Sequence, residues 1–434
     1  MRRRRPLLRL PRHRGTTAHV CSLYPCSVQA PLGDRGVYLG TNVTAGGASF
    51  VWDPFEAYDA GLVTNPNVWV MGEPGNAKSS LVKSYLYRQT AVYGAKRWTA
   101  VCDPKGEYLA LAEALGFDVV RLAPGGSTRI NPLDGDAATD GHEVERQAGR
   151  RAEMVAALVG TMLDRPLTAL EDAVLWAAVE QASRGARRTT PPTLADVAAL
   201  LRTPTAHMAE RCHKGTDELV RAAEPVFFEL DRLLSRSLRG MFDGESTVRV
   251  DWDGPGLVLD LSAVHSDRQA LPLVMAATHG WLTERMASGT GRQWVQVLDE
   301  AYWLLGNLRM ARYLQSSWKL GRSYGVANIA VAHRPSDLAA QADDGSATAK
   351  IAAGLLADTA TKVVFRQAPG EVAGIGGELL GLREVEREVV RRLVRGRALW
   401  RLGERTAVVA HVVGPGEDGL VDTDGRMRSS TSAA

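Results

Sequence analysis

Residues 67–80 read NVWVMGEPGNAKSS, from Asn67 to Ser80, and their interpretation decides the fold. Asn67–Met71 is a short apolar run of the kind that forms a buried strand, and the pattern from Lys78 to Tyr93 is helical. Between them, Gly72-Glu73-Pro74-Gly75-Asn76-Ala77-Lys78-Ser79 has the spacing of a phosphate-binding loop, with Ser80 following in the helix. The chemistry needs backbone N–H groups aimed at phosphate oxygens and a helix N-terminus whose dipole favours anions. It also needs a lysine for the β and γ phosphates and a hydroxyl for Mg²⁺. Lys78 and Ser79 fill those last two roles. Ala77 stands where the usual pattern has its final glycine, so a methyl group is expected to crowd the phosphates or alter the turn, and two outcomes stay open: weakened hydrolysis, or an active ATPase with an Ala-Lys-Ser ending. A chance glycine-rich turn would share this spacing, but strand, loop and helix here occur in the required order.

Working outward, Trp98–Cys102 and Phe117–Leu122 read as further strands around a helical pattern at Tyr108–Leu115, which makes a βαβ run and a parallel sheet. Gly36–Phe55 alternates apolar and polar residues and reads as short strands or a hairpin. From Gly141 to Arg236 the strand signals vanish and apolar residues recur at helical spacing. Thr168 three residues before Glu171, and Thr193 three before Asp196, mark helix starts there. Strands resume at Gly256–Leu261, Trp294–Leu298, Ala327–Ala332 and Lys362–Phe365, and RALWRLGERTAVVAHVV near the end reads as a hairpin.

The expected fold is α/β: a P-loop NTPase (RecA-like) core with a mostly parallel central sheet, interrupted by an all-α insertion and followed by a C-terminal β-hairpin. In boundaries this gives a basic tail at 1–30, the first part of the ATPase domain at 31–135, the helical insertion at 136–245, the second part at 246–416, and a disordered tail at 417–434.

The second chemical signal is Trp294–Glu300, WVQVLDE, an apolar strand ending in two carboxylates. In a Walker B strand Asp299 anchors the Mg²⁺ shell, while Glu300 orients or deprotonates the attacking water. Taken alone, a strand running into a capped helix explains the same residues equally well.

Composition narrows the classes. The chain of 434 residues is 45% hydrophobic and 23% charged, with a formal charge of +3, which is globular and excludes a whole-molecule polyanion binder. Cys21, Cys26, Cys102 and Cys212 show no paired metal spacing and read as free thiols of a reducing cytoplasm. His207, Cys212 and His213 lie close together without a second pair, as exposed helix residues would. No stretch approaches the roughly 20 apolar residues that span a bilayer. The arginine-rich start, MRRRRPLLRLPRHRG, lacks the apolar segment of a signal peptide.

Several blocks in one order now carry a resemblance: LGTN before the phosphate loop, VCDPKGEY (Val101–Tyr108), RINPLD (Arg129–Asp134), LDEAYWLL (Leu298–Leu305), GRSYG, and AHRPSDL. From about Gly36 to Val413 the sequence resembles the type IV secretion and conjugal transfer ATPases (TraC-like), within the HerA/FtsK superfamily of ring-forming P-loop motors. The large N-terminal domain of many members has no counterpart, so the chain is expected to be the motor module alone.

The resemblance implies an ATPase using ATP and Mg²⁺. It also implies a homo-hexamer, held at the inner face of the cell membrane by membrane-embedded conjugation or secretion subunits, with direct DNA contact left open. It places Asp103 and Glu107 in an acidic block near the nucleotide, although a strand-end turn explains Glu107 as well. Arg322 would reach the neighbouring subunit's γ phosphate, and a solvated helix end is its alternative. His333 stands where the family has a γ-phosphate-sensing glutamine; neutral imidazole offers one donor only. Arg334 and Arg366 read as trans contacts or as salt-bridge partners. Two further functions stay open: a HerA/FtsK-like double-stranded DNA translocase, and a nucleotide-binding assembly scaffold that hydrolyses weakly.

Overall fold

A computed structural model describes residues 32–135, 141–185, 191–288, 291–336, 347–373 and 375–422. The basic tail at 1–30, with Cys21 and Cys26, lies outside the described residues, as do 423–434 and the last two residues of AHRPSDL.

The chain opens with a hairpin, β1 (Val37–Asn42) and β2 (Ala48–Trp52), then a short helix α1 (Pro54–Asp59) whose first N–H groups are capped by Asp53. Next come β3 (Val68–Met71), α2 (Lys78–Tyr93), β4 (Arg97–Asp103), α3 (Leu109–Leu115) and β5 (Asp118–Arg121). Five helices then interrupt the strands: α4 (Gly141–Met162), α5 (Ala169–Gly185), α6 (Leu194–Arg202), α7 (Ala206–Cys212) and α8 (Thr216–Arg232). After them run β6 (Gly256–Asp260), α9 (Ala270–Ala287), β7 (Gln293–Leu298), α10 (Leu308–Gly321), β8 (Val326–Ala332), α11 (Ala347–Asp358) and β9 (Thr361–Val364). Three helices, α12 (Pro369–Ala373), α13 (Ile375–Leu379) and α14 (Glu384–Arg392), precede the hairpin β10 (Arg397–Leu402) and β11 (Arg405–His411). A last short helix, α15, covers Asp418–Val421.

All eleven strands form one sheet, in the order β2-β1-β11-β10-β9-β3-β8-β7-β4-β6-β5. From β9 to β5 every pairing is parallel, and the two hairpins extend the β9 edge with antiparallel pairings. The fold is therefore α/β with a mostly parallel sheet.

Period-2 alternation assigns each strand residue to a face. Val68 and Val70 pack with Leu81, Val82, Tyr85 and Leu86 of α2 on one face. Trp69 and Met71 face the other way, where the Trp69 ring meets Trp318 of α10 at 5.6 Å. Burying each such large side chain contributes about 1.5–3 kcal/mol, so β3 is anchored to helices on both faces of the sheet.

The inserted helices join the second face. Val155 and Leu158 of α4, Leu175 of α5 and Val226 of α8 belong to one continuous apolar cluster with Trp98 and Trp294 of the sheet. Sandwiched within that cluster, α9 is apolar almost all round, as a helix with no solvent face must be. Thr168 and Glu171 exchange hydrogen bonds ahead of α5, and Thr193 and Asp196 form the capping box of α6.

One boundary differs from the sequence reading. Glu417, placed there at the start of a disordered tail, is buried against α2. It accepts from Ser84 Oγ at 2.9 Å and from Arg88 Nε at 2.7 Å, and Arg88 Nη2 also donates to the carbonyl of Val412. The Arg88–Glu417 ion pair holds this segment to the helix that follows the phosphate loop, so packed structure continues past the expected boundary at 416.

Cys102 and Cys212 are free thiols, and burial pushes the Cys102 thiol up. Among the described residues no helix is long and apolar enough to cross a membrane, and no group of three or more His, Cys, Asp and Glu side chains could hold a metal. Cys212 Sγ contacts the carbonyl of Ala173, and His213 ends α7 in the left-handed region.

Candidate nucleotide site

Four neighbouring parallel strands, β3, β8, β7 and β4, point their C-terminal ends the same way, with Met71 opposite Ala332, Leu298 opposite Ala330 and Cys102 opposite Leu298. At about 4.8 Å per strand, these four ends lie within about 14 Å of one another. The turns that leave them carry Gly72–Ser79, His333, Asp299–Glu300 and Asp103–Lys105. A crevice at the carboxyl ends of parallel strands is where open α/β sheets bind ligands.

The loop after β3 is built as a phosphate loop. Gly72 has no room for a side chain, because a Cβ there would meet Phe365 Cβ at 2.5 Å. Gly75 and Ala77 take φ of +77° and +73°, so both sit in the left-handed region. For Ala77 this carries a backbone cost, since an L residue in that region is disfavoured by roughly 1–2 kcal/mol. Asn76 Nδ2 donates to Glu73 O at 3.3 Å, while Glu73 pairs with Arg366 (Oε2 to Nε, 3.3 Å), which makes Arg366 a salt-bridge partner within the chain. Ser79 and Ser80 follow in the first turn of α2.

Lys78 is only 5% exposed and its ammonium is folded back on its own loop, donating to Gly72 O at 2.5 Å and Glu73 O at 3.2 Å. Burial pushes its pKa down to about 8. Its third contact is His333 Nδ1 at 3.1 Å. An ammonium can only donate, so Nδ1 accepts and the proton of the neutral imidazole sits on Nε2. That nitrogen lies 3.0 Å from Glu300 Oε1, to which it donates. His333 thus connects the loop lysine to the acid of the next strand.

Glu300 is 2% exposed, and its backbone is in the left-handed region at φ +55°. Burial opposes its charge, but His333 and Lys105 outweigh that and hold the carboxyl down at about 2. Its neighbour Asp299 shows the reverse: burial, then the charge of Glu300, pushes it up to about 7. Asp299 Oδ1 accepts the Glu300 N–H at 3.0 Å. A buried carboxylate beside a second acid, with a serine hydroxyl on the facing loop, is a set of hard-oxygen donors. This fits Mg²⁺, which takes one or two protein oxygens and completes its shell with water and phosphate.

No family model matches the sequence, and no curated protein does. Solved structures do. VirB4 of Thermoanaerobacter pseudethanolicus is similar with a TM-score of 0.66 at 18% identity, covering 89% of this chain and 99% of that one. The unbound bacterial conjugative coupling protein TrwBdeltaN70 is similar at 0.57 and 14% identity, over 88% and 91% of the two chains. The fold is that of VirB4 and TrwB. TrwB in complex with ADP and Mg²⁺ matches at 0.54 and 17% identity, over 80% and 86%.

Within this VirB4- and TrwB-like fold, Lys78, Ser79, Asp299, Glu300 and His333 are brought together, and Arg322 is not. Arg322 is exposed at the end of α10, ahead of β8, whereas His333 follows that strand. Seven strand residues put it about 20 Å from the loop of its own chain. Arg334 is exposed beside His333. Asp103 is fully buried and spends its oxygens on the turn after β4: Oδ1 accepts from the N–H groups of Lys105 and Glu107, and Oδ2 from that of Tyr108.

Two residues were missed in the sequence. Lys105 forms an ion pair with Glu300 Oε1. Gln367, which is 1% exposed, donates from Nε2 to His333 O at 3.1 Å and steadies the turn that carries the imidazole. A lysine between Asp103 and Gly106 was a signal, but only the adjacency of β4 and β7 gives it meaning.

Proposed function

We propose that this chain is an ATP-hydrolysing motor that energises conjugative DNA transfer or type IV secretion-type translocation, working with Mg²⁺ as a homo-hexamer. The observation that carries this reading is that Lys78 and Ser79 follow β3 and Asp299 and Glu300 end β7, at the same edge of the sheet with only β8 between them. The likeness to VirB4 and TrwB supports it.

Loop amides of Gly72–Ser80 and the Lys78 ammonium bind the phosphates, for which Lys78 gives up its contacts to Gly72 and Glu73. Ser79 and Asp299 would hold Mg²⁺, which would supply charge neutralisation at the phosphates. Glu300 takes the proton of the attacking water, and His333 reports the state of Lys78 to Glu300 through its two ring nitrogens. Arg322, remote from its own site, serves the site of a second copy, so hydrolysis depends on assembly. The motor is cytoplasmic, docked by membrane-embedded subunits at the inner face of the membrane, with DNA as one cargo.

A second reading, a weakly hydrolysing scaffold, is favoured by the strained Ala77 and by a Glu300 whose Oε1 is already engaged. Steady-state ATP hydrolysis across a protein concentration series separates the two, with Lys78→Ala, Glu300→Gln and Arg322→Ala alongside. The motor predicts a cooperative rise with concentration that all three variants lose. A wild type that binds ATP yet turns over no faster than Glu300→Gln is a scaffold.

A further inference from the structure

We propose that Lys105 is a second phosphate-recognising cation of this site, one that distinguishes a nucleoside triphosphate from a diphosphate by exchanging Glu300 for the terminal phosphate. This rests on the nucleotide-site reading above.

The carboxylate of Glu300 is unevenly used. Oε1 receives both Lys105 and His333, while Oε2 is buried with no hydrogen-bond partner. A carboxylate in that state is a poor base, because one oxygen already accepts from two donors and the other is buried. Of those donors, Lys105 is the one able to leave: its side chain, 30% exposed against 24% for His333, ends a flexible stem, whereas the His333 ring is also held by Lys78 at 3.1 Å.

The turn that carries Lys105 is rigid where the side chain is not. Three backbone N–H groups are tied to Asp103, and Gly106 at φ +71° sits against β6, where a Cβ would lie 3.6 Å from Asp260 Oδ1. The Lys105 backbone therefore stays at the end of β4, beside the end of β7 that bears Glu300. Its ammonium can swing on a four-carbon stem between two anions within reach. A terminal phosphate carries more charge than one carboxylate and offers several acceptor oxygens, so it outcompetes Glu300 for Lys105. A diphosphate ends one phosphate earlier and leaves Lys105 on Glu300. Glu300 then loses one of the two donors on Oε1 only when the nucleotide that needs hydrolysing is present.

The test is equilibrium binding of Mg²⁺-ATPγS and Mg²⁺-ADP to the full chain, comparing wild type with Lys105→Met and Lys105→Arg. Lys105→Met is expected to weaken ATPγS about tenfold or more, corresponding to one charged contact, and to change ADP less than twofold. Lys105→Arg should restore most of the lost affinity. Equal changes for both nucleotides, no change for either, or tighter ATPγS binding by Lys105→Met would each overturn the assignment while leaving the nucleotide site intact. A wild type that binds neither nucleotide would instead remove the nucleotide-site reading, and the role of Lys105 with it. Thermal unfolding of Lys105→Met in step with wild type guards against a folding defect, and rescue by arginine is an outcome a purely structural lysine would not give.

Discussion

The turns after β3 and β4 each carry a lysine to opposite ends of the same row of four strand ends, and they are built in different ways. The first relies on backbone: two left-handed residues, Gly75 and Ala77, curl the chain so that its own carbonyls hold Lys78. The second relies on a side chain, since the buried carboxylate of Asp103 gathers three N–H groups and leaves Lys105 directed at Glu300. A loop that must open its amide groups to phosphate cannot spend them on an internal carboxylate, whereas a turn that only presents a side chain can. The first is therefore strained and receptive, and the second satisfied and stiff.

This contrast can be broken experimentally, and the largest effects are expected where chemistry is lost. Glu300→Gln should lower ATP turnover by about 10²–10⁴-fold while nucleotide binding persists, because it removes the proton acceptor and leaves the Lys78 loop untouched. If binding falls equally, Glu300 is part of the phosphate-holding apparatus and the two corners do not act separately. Arg322→Ala should cost the assembled protein about 10³-fold in turnover with little change in nucleotide affinity for dilute protein. An unchanged turnover would confine Arg322 to the helix end where it sits.

Stability probes follow. Asp103→Ala should destabilise the fold by about 3 kcal/mol, since three N–H groups lose a charged acceptor in a buried turn; urea unfolding measures it. A cost below 1 kcal/mol would mean that the turn closes without its carboxylate. Ala77→Gly should act in the opposite sense and stabilise by about 1 kcal/mol, because glycine occupies the left-handed region without the Cβ penalty. A destabilising Ala77→Gly would show that the phosphate loop is not under the strain its dihedral angles indicate.

Legibility in the sequence varied with how local the physics was. The phosphate-loop pattern was readable because strand, turn and helix are contiguous and its lysine donates to carbonyls only a few residues away. The Asp299–Glu300 pair was readable as two acids ending an apolar strand, and the boxes at Thr168 and Thr193 as short-range capping signals. His333 could be located at a strand end, but its part as a link between Lys78 and Glu300 depends on β8 lying between β3 and β7. Lys105 stood inside a motif valued for its acids, and neither charge nor spacing revealed which anion it would meet. Glu417 looked like the start of a polar tail because its partner, Arg88, is more than three hundred residues away in the chain.

By itself, then, the sequence determined the class of chain: α/β, a phosphate loop on the first parallel strand, a helical insertion in mid-chain, and an acid pair on a later strand. Those features rest on periodicity, turn chemistry and helix ends, all of which act within about ten residues. Only the tertiary structure decided strand order, and with it which turns share a crevice, which lysine covers Glu300, and that Arg322 faces away from its own site. Strand order is set by packing summed over both faces of an eleven-stranded sheet, a property of all its layers together that no single stretch of sequence encodes.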